Sequence, residues 1–227
     1  MLTILTFNLR CPAKMDGVNY SPLRMPRVME KIREEKPDVI GFQELEDTAL
    51  STLREGLPEY EFIGAGRDRD YRGESCRRAY RRETVEVHAM GHFWLSPTPE
   101  VPGSRFPEDQ SICPRIFVTA ELYDRRTDSV LRVVNTHLDH EGPIAPRRAL
   151  ELIARQVPED LPTVLLGDFN CPPDDPALEP LRGRFRDMSK GLGHTFHAFE
   201  GYYNWKTDKI DYIFATREFR RAASGLW

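Results

Sequence analysis

The chain has 227 residues, with 32 Lys and Arg against 36 Asp and Glu, a net charge of −4. That length is enough for one domain to bury roughly 70% of its unfolded surface, so neither disulfides nor a structural metal is needed for folding. The charge balance excludes an overall electrostatic attraction to a polyanion; phosphate must be recognised by a local site or a bound cation.

In chain order, residues 2–8 alternate loosely and predict a strand ending at Asn8. Ser21-Pro22 predicts a helix start, and Leu23, Val28, Met29 and Ile32 carry that helix to Lys36-Pro37. Residues 38–42 predict a buried strand, followed by Gln43 and Glu44, a helix over 46–56 and a short strand over 60–63. The segment 67–82 holds seven arginines interleaved with Asp68, Asp70 and Glu74 and reads as a loop. Strands follow over 85–95, 116–123 and 130–138, then a helix over 147–156 and strands over 163–168 and 209–214. There is no repeat and no low-complexity linker, so residues 1–227 are expected to form a single domain. Strands both in succession and interspersed with helices suggest a pair of sheets flanked by helices. No Gly-x-Gly-x-x-Gly follows a strand and no phosphate loop is present.

Cys11, Cys76, Cys113 and Cys171 form no Cys-x-x-Cys pair and read as free thiols of a reducing compartment, with two disulfides as the alternative. The first residues lack the basic start and cleavage site of a signal peptide. No run approaches the roughly 20 apolar residues of a membrane span. The expectation is a soluble cytoplasmic protein.

Polar clusters end four of the apolar strands: Asn8, Gln43-Glu44, Asn135 with His137, and Asp168 with Asn170; Asp211 is embedded in a fifth. Singly, each has a plain structural use. A strand-end Asn or Asp is a common turn residue, a lone His is commonly structural, and Glu44 can open the next helix favourably. Together they bring oxygen acceptors and an imidazole to strand ends without basic neighbours in sequence. Such a set suits a hard cation, Mg²⁺ or Mn²⁺, and the hydrolysis of a phosphate ester. A zinc site would need the His-Glu-x-x-His or Cys cluster that is absent.

These residues resemble the endonuclease/exonuclease/phosphatase superfamily of metal-dependent phosphoesterases. The marks, in the family's order, are Thr6-Phe-Asn8-Leu-Arg10, Pro37-Asp-Val-Ile-Gly-Phe-Gln43-Glu44, Asn135-Thr-His137-Leu-Asp139-His140, Gly167-Asp168-Phe-Asn170 and Lys209-Ile-Asp211-Tyr-Ile-Phe214. Gly91-His-Phe-Trp94-Leu-Ser96-Pro-Thr-Pro99 and Pro114-Arg115 resemble a bacterial branch whose substrates are poorly defined. The resemblance implies an α+β, four-layer α/β/β/α sandwich of two mainly antiparallel mixed sheets, with the site at one end. By it, Glu44 is the chief metal ligand for Mg²⁺ or Mn²⁺, with Asn8 completing the metal site. His137 contacts the scissile phosphate, Asp168 orients or activates water, and Asn170 holds phosphate or metal-bound water. Asn135 and Arg115 are expected on the substrate side, and Asp211 is expected to bond a histidine near the C-terminus. The substrate would be a phosphodiester or phosphomonoester, in nucleic acid, a phospholipid headgroup or a small phosphate ester; no protein partner is evident.

Two departures qualify that expectation. The family closes with Ser-Asp-His and an apolar strand, whereas residues 212–227 hold neither His nor Asp. The C-terminal strand is therefore expected to be missing, through truncation or as a natural loss. The alternative function is then a weak or inactive member that binds a phosphorylated ligand or partner through the same cleft. Second, residues 73–82 carry arginines where the branch has an apolar strand. They read either as a solvated loop with internal ion pairs or as a phosphate clamp, since Arg binds phosphate bidentately. Trp94 and Trp205 have two uses as well, packing or stacking on a base or sugar.

Overall fold

The computed structural model describes residues 1–197, 199 and 208–226. Strands β1 (Ile4–Asn8), β2 (Val39–Gln43), β3 (Tyr60–Ile63) and β4 (Arg78–Arg81) form one sheet, in the order β1-β2-β4-β3. Strands β5 (Val85–Trp94), β6 (Ile116–Asp124), β7 (Ser129–His137), β8 (Thr163–Asp168), β9 (Arg186–Asp187) and β10 (Asp211–Ala215) form a second, in the order β5-β6-β7-β8-β10-β9. Among the described strands, only the β1–β2 and β7–β8 pairs are parallel. Helices α1 (Ser21–Glu35) and α2 (Asp47–Gly56) cover the first sheet and α3 (Ala145–Gln156) the second. This is the expected α+β sandwich, and β10 is the last strand among the described residues.

The period-2 alternation of a strand assigns each side chain to a layer. Ile40 and Phe42 of β2 pack under α1 and α2 with Ile32 and Leu53, whereas Val39 faces the seam between the sheets. On β8, Leu165 packs with Leu150 and Ile153 of α3, while Val164 and Leu166 face the seam. The same parity puts Ile4 of β1, Val133 of β7 and Ile213 of β10 in the seam. Asn8, His137, Asp168 and Asp211 lie an even number of residues away on those four strands. They therefore continue the seam layer to its polar end.

Two glycines permit this closeness. A Cβ at Gly41 would lie 2.1 Å from Leu166 Cδ1, so β2 approaches β8 only without a side chain there. Gly167 has φ +144°, and a Cβ there would meet the Thr136 carbonyl oxygen at 1.9 Å.

The segment expected to be a loop over 67–82 contains a strand. β4 lies inside the first sheet, between β2 and β3. Its Arg78 is 1% exposed and points into the seam, where Nη1 donates to the carbonyls of Val118 and Val133. The guanidinium thus bonds across to the second sheet instead of reaching solvent, and burial works against its charge. The neighbouring arginines do make internal ion pairs: Arg77 with Asp47 (3.1 Å), Arg81 with Asp38 (2.9 Å) and Arg82 with Glu61 (2.7 Å).

Candidate active site

At the polar end of the seam, Asn8 joins the two sheets. Its Nδ2 donates to Glu44 Oε1 and to Asp168 Oδ2, both at 2.9 Å. Asn8 Oδ1 accepts from Arg10 N (2.8 Å), and Asp168 Oδ1 accepts from Asn170 N (2.9 Å). Each is a side chain bonding the backbone two residues on, the Asx turn that makes Asn and Asp good strand terminators. One side-chain atom fixes the turn and the other faces the cluster, so the turn use and the site use coexist in one residue.

The backbone around the cluster is held in a region that non-glycine residues avoid. Arg10, Glu44 and Asn170 have φ of 58°, 54° and 49°. Such conformations cost about 1–3 kcal/mol each and concentrate at functional sites. Glu44 is fixed further by Cys11 N, which donates to its Oε2 at 2.7 Å.

Asp168 and Asp211 are register partners on β8 and β10. Burial holds the Asp168 carboxyl well above the ordinary aspartate range, and the Asp211 and Glu44 charges add to that. Burial and Glu44 likewise push Asp211 up to about 6. Asp211 Oδ1 is buried and has no hydrogen-bond partner among the described residues. None of these carboxylates ion-pairs with a lysine or arginine among the described residues, and one has an orphaned oxygen, a set that fits a hard divalent cation, which favours oxygen ligands. Cys11 Sγ also lies within 4.8 Å of Glu44 and Glu74 oxygens. Its thiol is pushed up to about 12 by burial and Glu44, which disfavours the thiolate in the ion-free chain. Glu44 and the Asn8 amide oxygen could serve as ligands for such an ion.

His137 Nε2 lies 3.8 Å from Asp168 Oδ2. Burial, then the charges of Arg115 and Arg67, drive its pKa well below the ordinary value and keep the imidazole neutral. Asn170 Nδ2 donates to the Leu138 carbonyl at 3.0 Å, tying the end of β8 to the end of β7. A small cleft opens beside these groups, lined by Glu44, Arg67, Glu74, Arg115 and His137 among others. Arg115 is 4% exposed; its Nη2 meets His140 Nδ1 at 2.9 Å, its Nε pairs with Asp139 Oδ1 at 3.6 Å, and Nη1 has no hydrogen-bond partner among the described residues.

The structure thus gathers Asn8, Glu44, His137, Asp168, Asn170, Asp211 and Arg115 at one end of the sandwich. Asn135 stands apart from the cleft. It is 0% exposed, Oδ1 accepts from Gln43 Nε2 (2.7 Å), and Nδ2 donates to the carbonyls of Phe42 and Arg77. Its amide stitches β7 to the first sheet. Trp94 is a packing residue, 2% exposed, with its indole N–H on the Arg67 carbonyl at 2.6 Å. Trp205 lies outside the described residues. Sequence reasoning missed Arg67 and Glu74 as cleft residues. The available signal was their spacing: each directly follows a glycine, Gly66 and Gly73, the pattern of a tight hairpin.

The model of the Endonuclease/Exonuclease/phosphatase family matches residues 5–227. Among solved structures, an endonuclease/exonuclease/phosphatase from Bacteroides vulgatus superposes with a TM-score of 0.86 at 34% identity, covering 93% of this chain and 85% of that one. The mannosyl-6-phosphatase of Bacteroides thetaiotaomicron gives a TM-score of 0.86 at 27% identity, covering 96% and 86%. D. rerio TDP2 complexed with single-strand DNA product shares the fold, with a TM-score of 0.73 at 16% identity, covering 95% and 83%. A comparison with curated proteins finds no match.

Proposed function

The chain belongs to the endonuclease/exonuclease/phosphatase family, and on that premise we propose that it is a Mg²⁺- or Mn²⁺-dependent phosphoesterase that cleaves a phosphomonoester or phosphodiester by attack of water. The observation that carries this reading is the cluster of buried Asp168 with half-buried Glu44 and Asp211, in which Asn8 ties Glu44 to Asp168 and no lysine or arginine ion-pairs with the three carboxylates among the described residues. A bound divalent cation would supply charge stabilisation on the phosphate oxygens. Glu44 would hold it, with the Asn8 amide oxygen as a further ligand. Asp168 orients the attacking water and takes its proton as the water oxygen bonds to phosphorus. The phosphorus–oxygen ester bond breaks on the opposite side, and the leaving alkoxide takes a proton from solvent. Neutral His137 donates a hydrogen bond to a non-bridging oxygen, where charge develops in the transition state. Asp211 keeps the Asp168 carboxyl basic by its own negative charge.

The structural relatives include a mannosyl-6-phosphatase and a protein complexed with single-strand DNA product. These support ester hydrolysis at phosphorus here, on a sugar phosphate or a nucleic acid end. No helix among the described residues is long and apolar enough to cross a membrane. The four cysteines are free, which supports a reducing, cytoplasmic setting.

The test is metal-dependent hydrolysis across sugar phosphates, nucleic acids and phospholipid headgroups. EDTA should abolish it and Mg²⁺ or Mn²⁺ should restore it. Asp168→Ala should cost about 10²–10⁴ in rate, the usual worth of a positioned base, and Glu44→Ala should abolish the metal response. Activity that survives both substitutions overturns the reading. Ligand binding with no turnover would instead make the chain a phosphate-binding member of the family.

A further inference from the structure

The residues 66–75 form a hairpin folded onto the cleft. Arg67 N donates to the Glu74 carbonyl (3.0 Å), Asp68 N to Arg72 (3.1 Å) and Gly66 N to Tyr71 (2.9 Å). The hairpin is anchored at two points. Ser75 Oγ donates to the Leu45 carbonyl at 2.5 Å, directly after Glu44, and the Trp94 indole holds the Arg67 carbonyl. A Cβ at Gly66 would lie 1.9 Å from the Arg72 carbonyl oxygen, so this return is built around the missing side chain. The Arg67 side chain is 12% exposed and its Nη1 lies 2.9 Å from Glu74 Oε2. It is therefore pre-oriented on this hairpin, in the same cleft as Arg115, whose Nε pairs with Asp139 Oδ1 at 3.6 Å and whose Nη1 has no hydrogen-bond partner among the described residues. Both guanidinium charges reach His137, whose pKa each depresses.

We propose that Arg67 and Arg115 form a two-guanidinium clamp that makes the site selective for a terminal phosphate, a monoester dianion, over a diester. The inference rests on the phosphoesterase reading and narrows its substrate class. A monoester brings two negative charges and three terminal oxygens; a diester brings one charge and a second ester chain. Incoming phosphate meets Glu44, Asp168 and Asp211, so its second charge needs positive partners beyond those that serve the cation. Arg67 and Arg115 supply two, each with a planar fork that matches phosphate oxygens. Glu74 positions Arg67 in the absence of substrate.

The experiment compares p-nitrophenyl phosphate with bis(p-nitrophenyl) phosphate for the unaltered protein, Arg67→Gln and Arg67→Lys. The unaltered protein should prefer the monoester. Arg67→Gln should lower monoester kcat/KM about 10- to 100-fold, the worth of a charge-assisted hydrogen bond, and diester kcat/KM less than about threefold. Arg67→Lys, which keeps the charge without the fork, should fall between and serves if the Gln variant does not fold. Calorimetry with inorganic phosphate, in Mg²⁺ and in EDTA, should show the same relative weakening without any turnover. Equal losses on both substrates, or a preference of the unaltered protein for the diester, would overturn the clamp. Arg67-dependent phosphate binding with no hydrolysis of either substrate would overturn the phosphoesterase reading and leave the clamp standing.

Discussion

Asp168 and Asp211 sit opposite one another across the β8–β10 pair, two acids at the polar end of a seam packed mainly by apolar side chains. Without a cation the folded chain keeps these carboxyls protonated at pH values where the unfolded chain, with ordinary aspartates, has already released its protons. The unfolded state then binds fewer protons, so stability falls as pH rises, from about 4 upward through about 6 for Asp211 and beyond it for Asp168. Thermal melts in EDTA should therefore lose temperature over that window, and saturating Mg²⁺ should flatten the loss. Asp211→Asn should flatten it too, even in EDTA. A melt that climbs with pH over this window would contradict the assignment.

Asn8 supplies the only hydrogen bonds that link Glu44 to Asp168 among the described residues. Asn8→Asp removes both donors and places a further carboxylate among acids. It is expected to destabilise the metal-free chain by about 1–3 kcal/mol, the cost of leaving buried acceptors unpaired. For a chain of this size that is a fall of about 2–12 °C. Added Mg²⁺ should recover more melting temperature in this variant than in the unaltered protein, because the extra charge is compensated only with the ion bound. Paired melts with and without Mg²⁺ would show it.

Gly41 marks a close approach of the two sheets. A Cβ 2.1 Å from Leu166 Cδ1 and 3.0 Å from Asn135 Oδ1 can be accommodated only by shifting β2 or repacking the seam. Gly41→Ala should cost about 1–3 kcal/mol, as overpacking does. Because Glu44 follows β2 and Asp168 ends β8, the same shift separates the two carboxylates, and activity should fall beyond what the lost stability explains. Denaturant melts together with kcat/KM for one substrate measure both effects.

Much of this was legible in the sequence because strands encode it locally. Asn8, His137 and Asp168 each end an apolar run, and period-2 parity alone places them on the face that Ile4, Val133 and Leu166 bury. Glu44 and Asp211 were readable from their motifs. What stayed hidden depends on distant partners. Arg78 looks solvated until the carbonyls of Val118 and Val133, 40 and 55 residues away, are set above it. Arg67 and Glu74 looked like loop charges until the hairpin turned them into the cleft. Asn135 misled in the opposite sense: its position beside His137 suggested substrate contact, but parity places it two residues deeper, where Gln43 and Phe42 use its amide.

Arg78 gives the last prediction. Its Nη1 bonds two seam carbonyls, but Nε and Nη2 have no partner, and no carboxylate pairs with it among the described residues. The surrounding seam is apolar, with Val133, Leu122 and Val118 close in the layer. Burying such a charge is costly, and an apolar replacement of similar volume is commonly neutral or stabilising by about 1–4 kcal/mol. Arg78→Met should therefore match or exceed the unaltered protein in denaturant melts, and its activity should persist, since Arg78 is not among the cleft-lining residues. Arg78→Ala removes the same charge but leaves a cavity between the sheets, at about 2–5 kcal/mol for a large-to-alanine change in a core. The contrast between the two variants separates charge from volume. If Met destabilised as much as Ala, the carbonyl bonds across the seam would outweigh the burial of the guanidinium.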